Sequence, residues 1–254
     1  MKRTEPDPVP SPVNPRGVKR ARRPAAHFLD LDQIDHLLET AWGLAREDRT
    51  QYANALRTEV AIFTGLRTGE LHNLCPEDIR EDGTLAVRMA PNLKMGKPRV
   101  TGFVNGLETS PTLEVLRRFV ENKKPGRPIW PSQPAAWSHW VVHRLGPASG
   151  LQRRIECLNG NPRERRYLIH CHLTRALFVI FCRRYPRRLG LKPIPWETIC
   201  ELGGWESVDT IRKHYYYADL DEALENVRTS IPAPRAPAPH RPPVLWGRGE
   251  AYAP

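Results

Sequence analysis

Thirteen of the 26 prolines fall in two short segments, six within residues 1–24 and seven from residue 232 to the last residue, 254. Proline fixes φ and has no amide N–H, so at this spacing neither helix nor sheet propagates and extended, solvated chain is favoured. Two disordered flanks are therefore expected, residues 1–27 and 232–254. They bound one foldable region, 28–231, of about 200 residues without internal repeats, long enough to bury a core. The longest uninterrupted apolar run, Ala176 to Cys182, is seven residues. A bilayer span needs roughly 20, and the N-terminus lacks the apolar stretch of a signal peptide. The chain thus reads as soluble and intracellular, with no membrane partner. Its five cysteines are odd in number and contain no CxxC pair, so reduced, packed thiols are expected rather than a disulfide framework or a cysteine-rich zinc site.

The formal charge of +11 favours a polyanionic partner, and nucleic acid is the first candidate. Residues 1–23 carry seven Lys/Arg against two Asp/Glu, a net of +5, whereas residues 24–231 contribute +4. Within that arm, Arg16, Lys19, Arg20, Arg22 and Arg23 place five cations in eight positions with no acid among them. Such a segment is suited to wrapping DNA electrostatically without reading its sequence.

Hydrophobic periodicity predicts a helix after Asp30, with Leu31, Ile34, Leu37 and Leu38 on one face, and a second from about Gln51 to Phe63 that breaks at Thr64-Gly65. A short third passes through Glu70 and Leu74. Thr84 to Ala90 and Arg99 to Val104 read as one small antiparallel sheet. Helices then follow at Leu113–Asn122, Ala136–Leu145, Leu173–Tyr185, Trp196–Leu202 and Val208–Tyr217. A capping-box pattern at Asp219 and Glu222 predicts a last helix from Leu220 to Arg228, able to dock on its own domain or on a neighbouring protomer. The expected class is α+β, mainly helical.

Four separated pieces stand in a telling order: Thr64-Gly65-Leu66-Arg67-Thr68-Gly69-Glu70-Leu71; Lys94-Met95-Gly96-Lys97-Pro98-Arg99; His172-Leu173-Thr174-Arg175; and Leu202-Gly203-Gly204-Trp205, followed ten residues on by Tyr215. Each alone is weak. An arginine after a Thr-Gly break is ordinarily solvated, lysines at a hairpin tip ordinarily serve solubility, and a tyrosine on the stripe Val208, Ile211, Tyr215 is ordinarily core. Together they resemble the catalytic domain of the tyrosine recombinase (phage integrase) family, over about residues 28–228, with TGLRTGEL the most specific part.

The resemblance implies a site-specific DNA recombinase or integrase that breaks and rejoins double-stranded DNA through a 3′-phosphotyrosine intermediate. It implies no cofactor and no metal, a homo-multimer assembled on DNA, a cytoplasmic or nucleoid-associated location and a place in a mobile genetic element. Storing a phosphodiester bond without ATP requires a covalent protein–DNA ester, which a phenol oxygen can form. A phenol with pKa near ~10 is only about 0.1% ionised at pH 7, so it needs cations and a base beside it. The family comparison puts Arg67 and Arg175 on the phosphate, where planar forks suit non-bridging oxygens. His172, one helical turn before Arg175, would exchange a proton with the tyrosine. Lys94 would protonate the departing 5′ oxygen. Trp205 replaces the commoner histidine and can donate its indole N–H but cannot shuttle a proton. Lys97 and Arg99, with the basic arm, are expected to contact DNA. His170 and His172 form an HxH pair, but without further partners at ligand spacing a metal is not expected there.

Tyr215 is the expected nucleophile, with Tyr216 and Tyr217 adjacent alternatives. The family's usual spacing of nine residues after the His/Trp position reaches His214, so this chain carries one extra residue. Thr174, Ala176 and the doubled glycine at Gly204 are further departures. Only about 27 residues precede the catalytic region, too few for the helical clamp domain that integrases normally carry. A catalytically silent DNA-binding protein of this fold, and a type IB topoisomerase-like or telomere-resolving enzyme, are the competing readings.

Overall fold

The computed structural model describes residues 29–88, 98–155 and 166–215, all within one compact unit. The basic arm, the proline-rich tail, Lys94, Lys97, Tyr216, Tyr217 and the helix expected after Asp219 lie outside the described residues.

The first helix, α1 (Leu31–Glu47), starts where Asp30 caps it. The Asp30 carboxylate accepts the Gln33 N–H at 2.8 Å and the Gln33 side chain accepts the Asp30 N–H at 3.0 Å, a reciprocal capping box. Its buried stripe is Ile34, Leu37, Ala41 and Ala45. After a 3-10 turn comes α2 (Tyr52–Thr64), closed at Gly65, and then α3 (Thr68–His72), which begins at Arg67. Strands β1 (Thr84–Val87) and β2 (Arg99–Gly102) pair antiparallel, Thr84 opposite Gly102 and Val87 opposite Arg99. The Thr101 hydroxyl donates to the Thr64 carbonyl at 3.1 Å and the Val104 N–H to the Phe63 carbonyl at 3.0 Å. These two bonds fasten the sheet to the C-terminal end of α2, bringing Arg99 beside the Arg67 corner.

Ser110 caps α4 (Pro111–Val120). Next, α5 (Pro134–Trp140) continues through a π-helical turn, Val141–Leu145, into α6 (Gly146–Ala148). A second antiparallel pair, β3 (Arg154–Ile155) with β4 (Arg166–Tyr167), was not expected, because two-residue strands leave no alternation to detect. The chain continues through α7 (Leu173–Arg188), α8 (Trp196–Gly203) and α9 (Val208–His214). All residues from Leu173 to Arg183 are buried, so the first three turns of α7 are enclosed on every side, with α1, α2 and α8 packed against the helix. That is the setting in which a helix is apolar all round rather than amphipathic. Among the described residues no helix is long and apolar enough to cross a membrane.

Among the arginines that enter this core is one away from α7. Arg57 on α2 is fully buried, donates from Nη1 to the Ser132 carbonyl at 3.1 Å, and lies 4.7 Å from the Trp137 ring and 5.7 Å from the Trp130 ring. Burial pushes its pKa down to about 10, which leaves it charged at neutral pH, its charge facing two indoles.

Candidate active site

The corner between α2 and α3 positions Arg67. Its backbone is extended, and its N–H is accepted by Glu70 Oε2 at 2.8 Å. Its guanidinium donates to Glu70 Oε1 at 2.8 Å and to the Gly204 carbonyl at 2.7 Å. The Glu70 side chain is 1% exposed and also receives a two-pronged contact from Arg99, Nη1 to Oε1 at 2.7 Å and Nη2 to Oε2 at 2.8 Å. Burial by itself raises the Glu70 carboxyl, but hydrogen bonds and charge from Arg99 and Arg67 outweigh it and hold the pKa at about 2.

Arg175 comes from the first turns of α7 and is buried. Its Nη1 donates to the Gly65 carbonyl at 2.5 Å and to the Gly203 carbonyl at 3.0 Å. Burial, then repulsion from Arg67, lowers its pKa to about 10, so it remains a cation at neutral pH. Successive carbonyls, those of Gly203 and Gly204, thus receive the two arginines. These oxygens end α8, where the helix presents its negative pole, which favours two guanidiniums in one place.

The double glycine is what permits this turn. A Cβ on Gly203 would stand 1.8 Å from a carbon of the Trp205 ring. Gly204 has φ +66°, and a Cβ there would lie 2.7 Å from Arg99 Cζ. Backbone, indole and guanidinium therefore approach more closely than any side chain would allow. Gly203→Ala is expected to push Trp205 off its seat and to lower the unfolding free energy by about 1–3 kcal/mol, the usual cost of overpacking. Urea denaturation followed by tryptophan fluorescence checks this, and wild-type stability in the variant would refute it.

Trp205 stacks on Arg175, with Cζ 3.9 Å from the indole, and its Nε1 is buried without a hydrogen-bond partner among the described residues. Tyr215 meets the indole edge to face, ring centres 5.2 Å apart, and its ring is 5.7 Å from Arg175 Cζ. Tyr215 caps the C-terminus of α9, its N–H bonded to the Ile211 carbonyl at 2.8 Å, and Ser207 caps the other end. The Tyr215 hydroxyl reaches His172 Nε2 at 2.9 Å. His172 precedes the first turn of α7 and is exposed, whereas Arg175 three residues on is buried. The helical offset thus aims both at one place.

Five residues expected at the site, Arg67, His172, Arg175, Trp205 and Tyr215, are brought together; Lys94 and Lys97 lie outside the described residues, as do Arg16, Lys19, Arg20, Arg22 and Arg23. Arg99, also expected to contact DNA, lies within the described residues. Its side chain is only 11% exposed, and Nε donates to the Leu202 carbonyl at 3.1 Å, so three of its five N–H groups are spent inside the protein. Sequence reasoning assigned no role to Glu70, although its place three residues after Arg67 puts it on the same helical face. Among the described residues no group of three or more His, Cys, Asp or Glu is placed to hold a metal ion.

No protein-family model matches the chain, and no curated protein matches it. Solved structures do. The XerA recombinase superposes with a TM-score of 0.56 at 19% identity, over 81% of this chain and 65% of that one. A lambda integrase dimer bound to a COC′ core site matches with a TM-score of 0.52 at 21% identity, over 80% and 52%. The XerH site-specific recombinase in a post-cleavage complex with its palindromic difH substrate gives 0.51 at 19% identity, over 79% and 52%. The matched part of this chain spans between half and two thirds of the length of those structures.

Proposed function

We propose, for a chain with the tyrosine-recombinase-like fold, that it cleaves and rejoins double-stranded DNA through a 3′-phosphotyrosine intermediate and acts as a site-specific recombinase or integrase. The observation that carries this reading is the Tyr215 hydroxyl 2.9 Å from His172 Nε2, beside a pair of arginines held on successive carbonyls. In the forward step the Tyr215 oxygen attacks phosphorus and forms the P–O ester. The phenolic proton passes to His172, and the P–O bond to the 5′ oxygen breaks. The resemblance assigns protonation of that oxygen to Lys94. Arg67 and Arg175 take the charge that grows on the non-bridging oxygens, and being preorganised they do not reorient as it develops. In reverse, a 5′ hydroxyl attacks the ester and releases Tyr215, so resealing needs no ATP.

On this reading the basic arm, Arg16 to Arg23, adds phosphate contacts to those of the domain, and the protein assembles as a multimer on DNA, as the lambda integrase dimer does on its core site. The location is intracellular, where DNA is. The test is a nicked suicide substrate resolved on a denaturing gel. A covalent adduct is expected, and it should persist in excess EDTA, because the arginines supply the charge that a divalent ion supplies elsewhere. DNA binding without an adduct would instead mark a silent binding module, and a strict metal requirement for the chemical step would overturn the mechanism.

A further inference from the structure

We propose that Arg99 is a positioning residue: through Glu70 it sets the guanidinium of Arg67, and through the Leu202 carbonyl it sets the Gly203–Gly204 turn on which both phosphate-binding arginines rest. The proposal builds on the catalytic reading of the site given above. Arg99 opens β2, the strand tied to the end of α2, and its fork grips both oxygens of a carboxylate that is itself buried. With both oxygens held, the carboxylate plane cannot rotate, and the same oxygens then accept the backbone N–H and the Nη1 of Arg67. The other half of the device is steric. The guanidinium lies against Gly204, whose carbonyl receives Arg67 Nη2, while its Nε holds the carbonyl two residues earlier. One side chain therefore fixes two of the surfaces that aim Arg67, which is itself 35% exposed.

Among the described residues, the charges facing Glu70 are Arg67 at the start of α3, Arg99 on β2 and Arg175 on α7, and the end of α8 contributes backbone carbonyls. Losing Arg99 would leave the carboxylate with Arg67 as its direct partner and remove the two guanidinium N–H groups that brace it from β2.

The experiment compares Arg99→Gln and Arg99→Lys with wild type in single-turnover cleavage, in DNA affinity across a salt series, and in the titration of the Glu70 carboxyl followed by NMR without DNA. Arg99→Gln should lower cleavage by about 10²-fold, the scale of a misplacement of about 1 Å at a reacting group. Affinity should stay within about threefold, with an unchanged salt slope. The Glu70 titration should rise by about one pH unit or more. Arg99→Lys restores charge but not the fork, so its cleavage should recover only in part. It also carries the same titration test should Arg99→Gln not fold. A salt slope reduced in magnitude by about 0.9, with affinity falling alongside cleavage, would make Arg99 a phosphate contact and overturn the proposal. So would an unmoved Glu70 titration. Failure of the catalytic reading looks different: wild type would form no adduct, while the Glu70 titration would still respond to Arg99.

Discussion

Tyr215→Phe is expected to abolish the covalent adduct, a loss of more than about 10⁴-fold, while DNA affinity stays within about twofold. The substitution deletes one oxygen and no charge, so phosphate contacts, which dominate affinity, are untouched. The ring contacts with Trp205 and Arg175 involve the ring and survive in phenylalanine. What goes is the hydroxyl that meets His172, a hydrogen bond worth about 0.5–1.5 kcal/mol to stability. It is also the atom that would become the ester oxygen, so the substitution removes the nucleophile itself. A denaturing gel on nicked DNA separates the outcomes. Full adduct yield from the variant would move the assignment to Tyr216 or Tyr217.

Arg175→Ala should produce the second largest loss, about 10³-fold or more in cleavage, together with about 2–4 kcal/mol of stability. The kinetic part is the cost of one preorganised transition-state donor, on the order of 10²–10³, increased because Trp205 and Tyr215 both pack against the lost guanidinium. The stability part arises because the Gly65 and Gly203 carbonyls lose their donor in a buried place, and unmet buried acceptors cost about 1–3 kcal/mol each. Half-exposed Arg67 bridges a carboxylate and one carbonyl, so Arg67→Ala should cost chemistry more than stability. Single-turnover rates well below the melting temperature, paired with urea denaturation, distinguish the two arginines. Equal stability losses in both variants would show that burial does not separate their roles.

Much of the fold was legible in local sequence. Asp30 marked the start of α1, Thr64-Gly65 the break after α2, and the pattern from Leu173 to Tyr185 most of α7, because caps, breakers and periodicity act within one or two turns. The residues proposed for chemistry were legible as types in order: a fork before Glu70, a histidine and arginine one turn apart, a tyrosine after a glycine turn. Lone charges were not. Arg57 falls in an ordinary helical stripe, and no local signal says that two tryptophans from beyond residue 129 will enclose it. Arg99 looks like any hairpin cation, and only the packing of β2 beside α8 turns it inward.

The sequence by itself determined where most of the described helices lie, where the α2–α3 corner falls, and that arginines, a histidine, a tryptophan and a tyrosine stand in an order that resembles the tyrosine recombinases. Tertiary structure alone decided how they meet. Arg67 reaches Gly204 across 137 positions, Arg175 reaches Gly65 across 110, and Arg99 reaches Leu202 across 103. The physical reason is that periodicity and capping are local energies, set by neighbours within a few residues, whereas burial and hydrogen-bond partners depend on which elements pack together. Whether a guanidinium becomes a surface charge, a buried brace or a phosphate ligand is settled only by the groups that the fold brings to within about 3 Å of it.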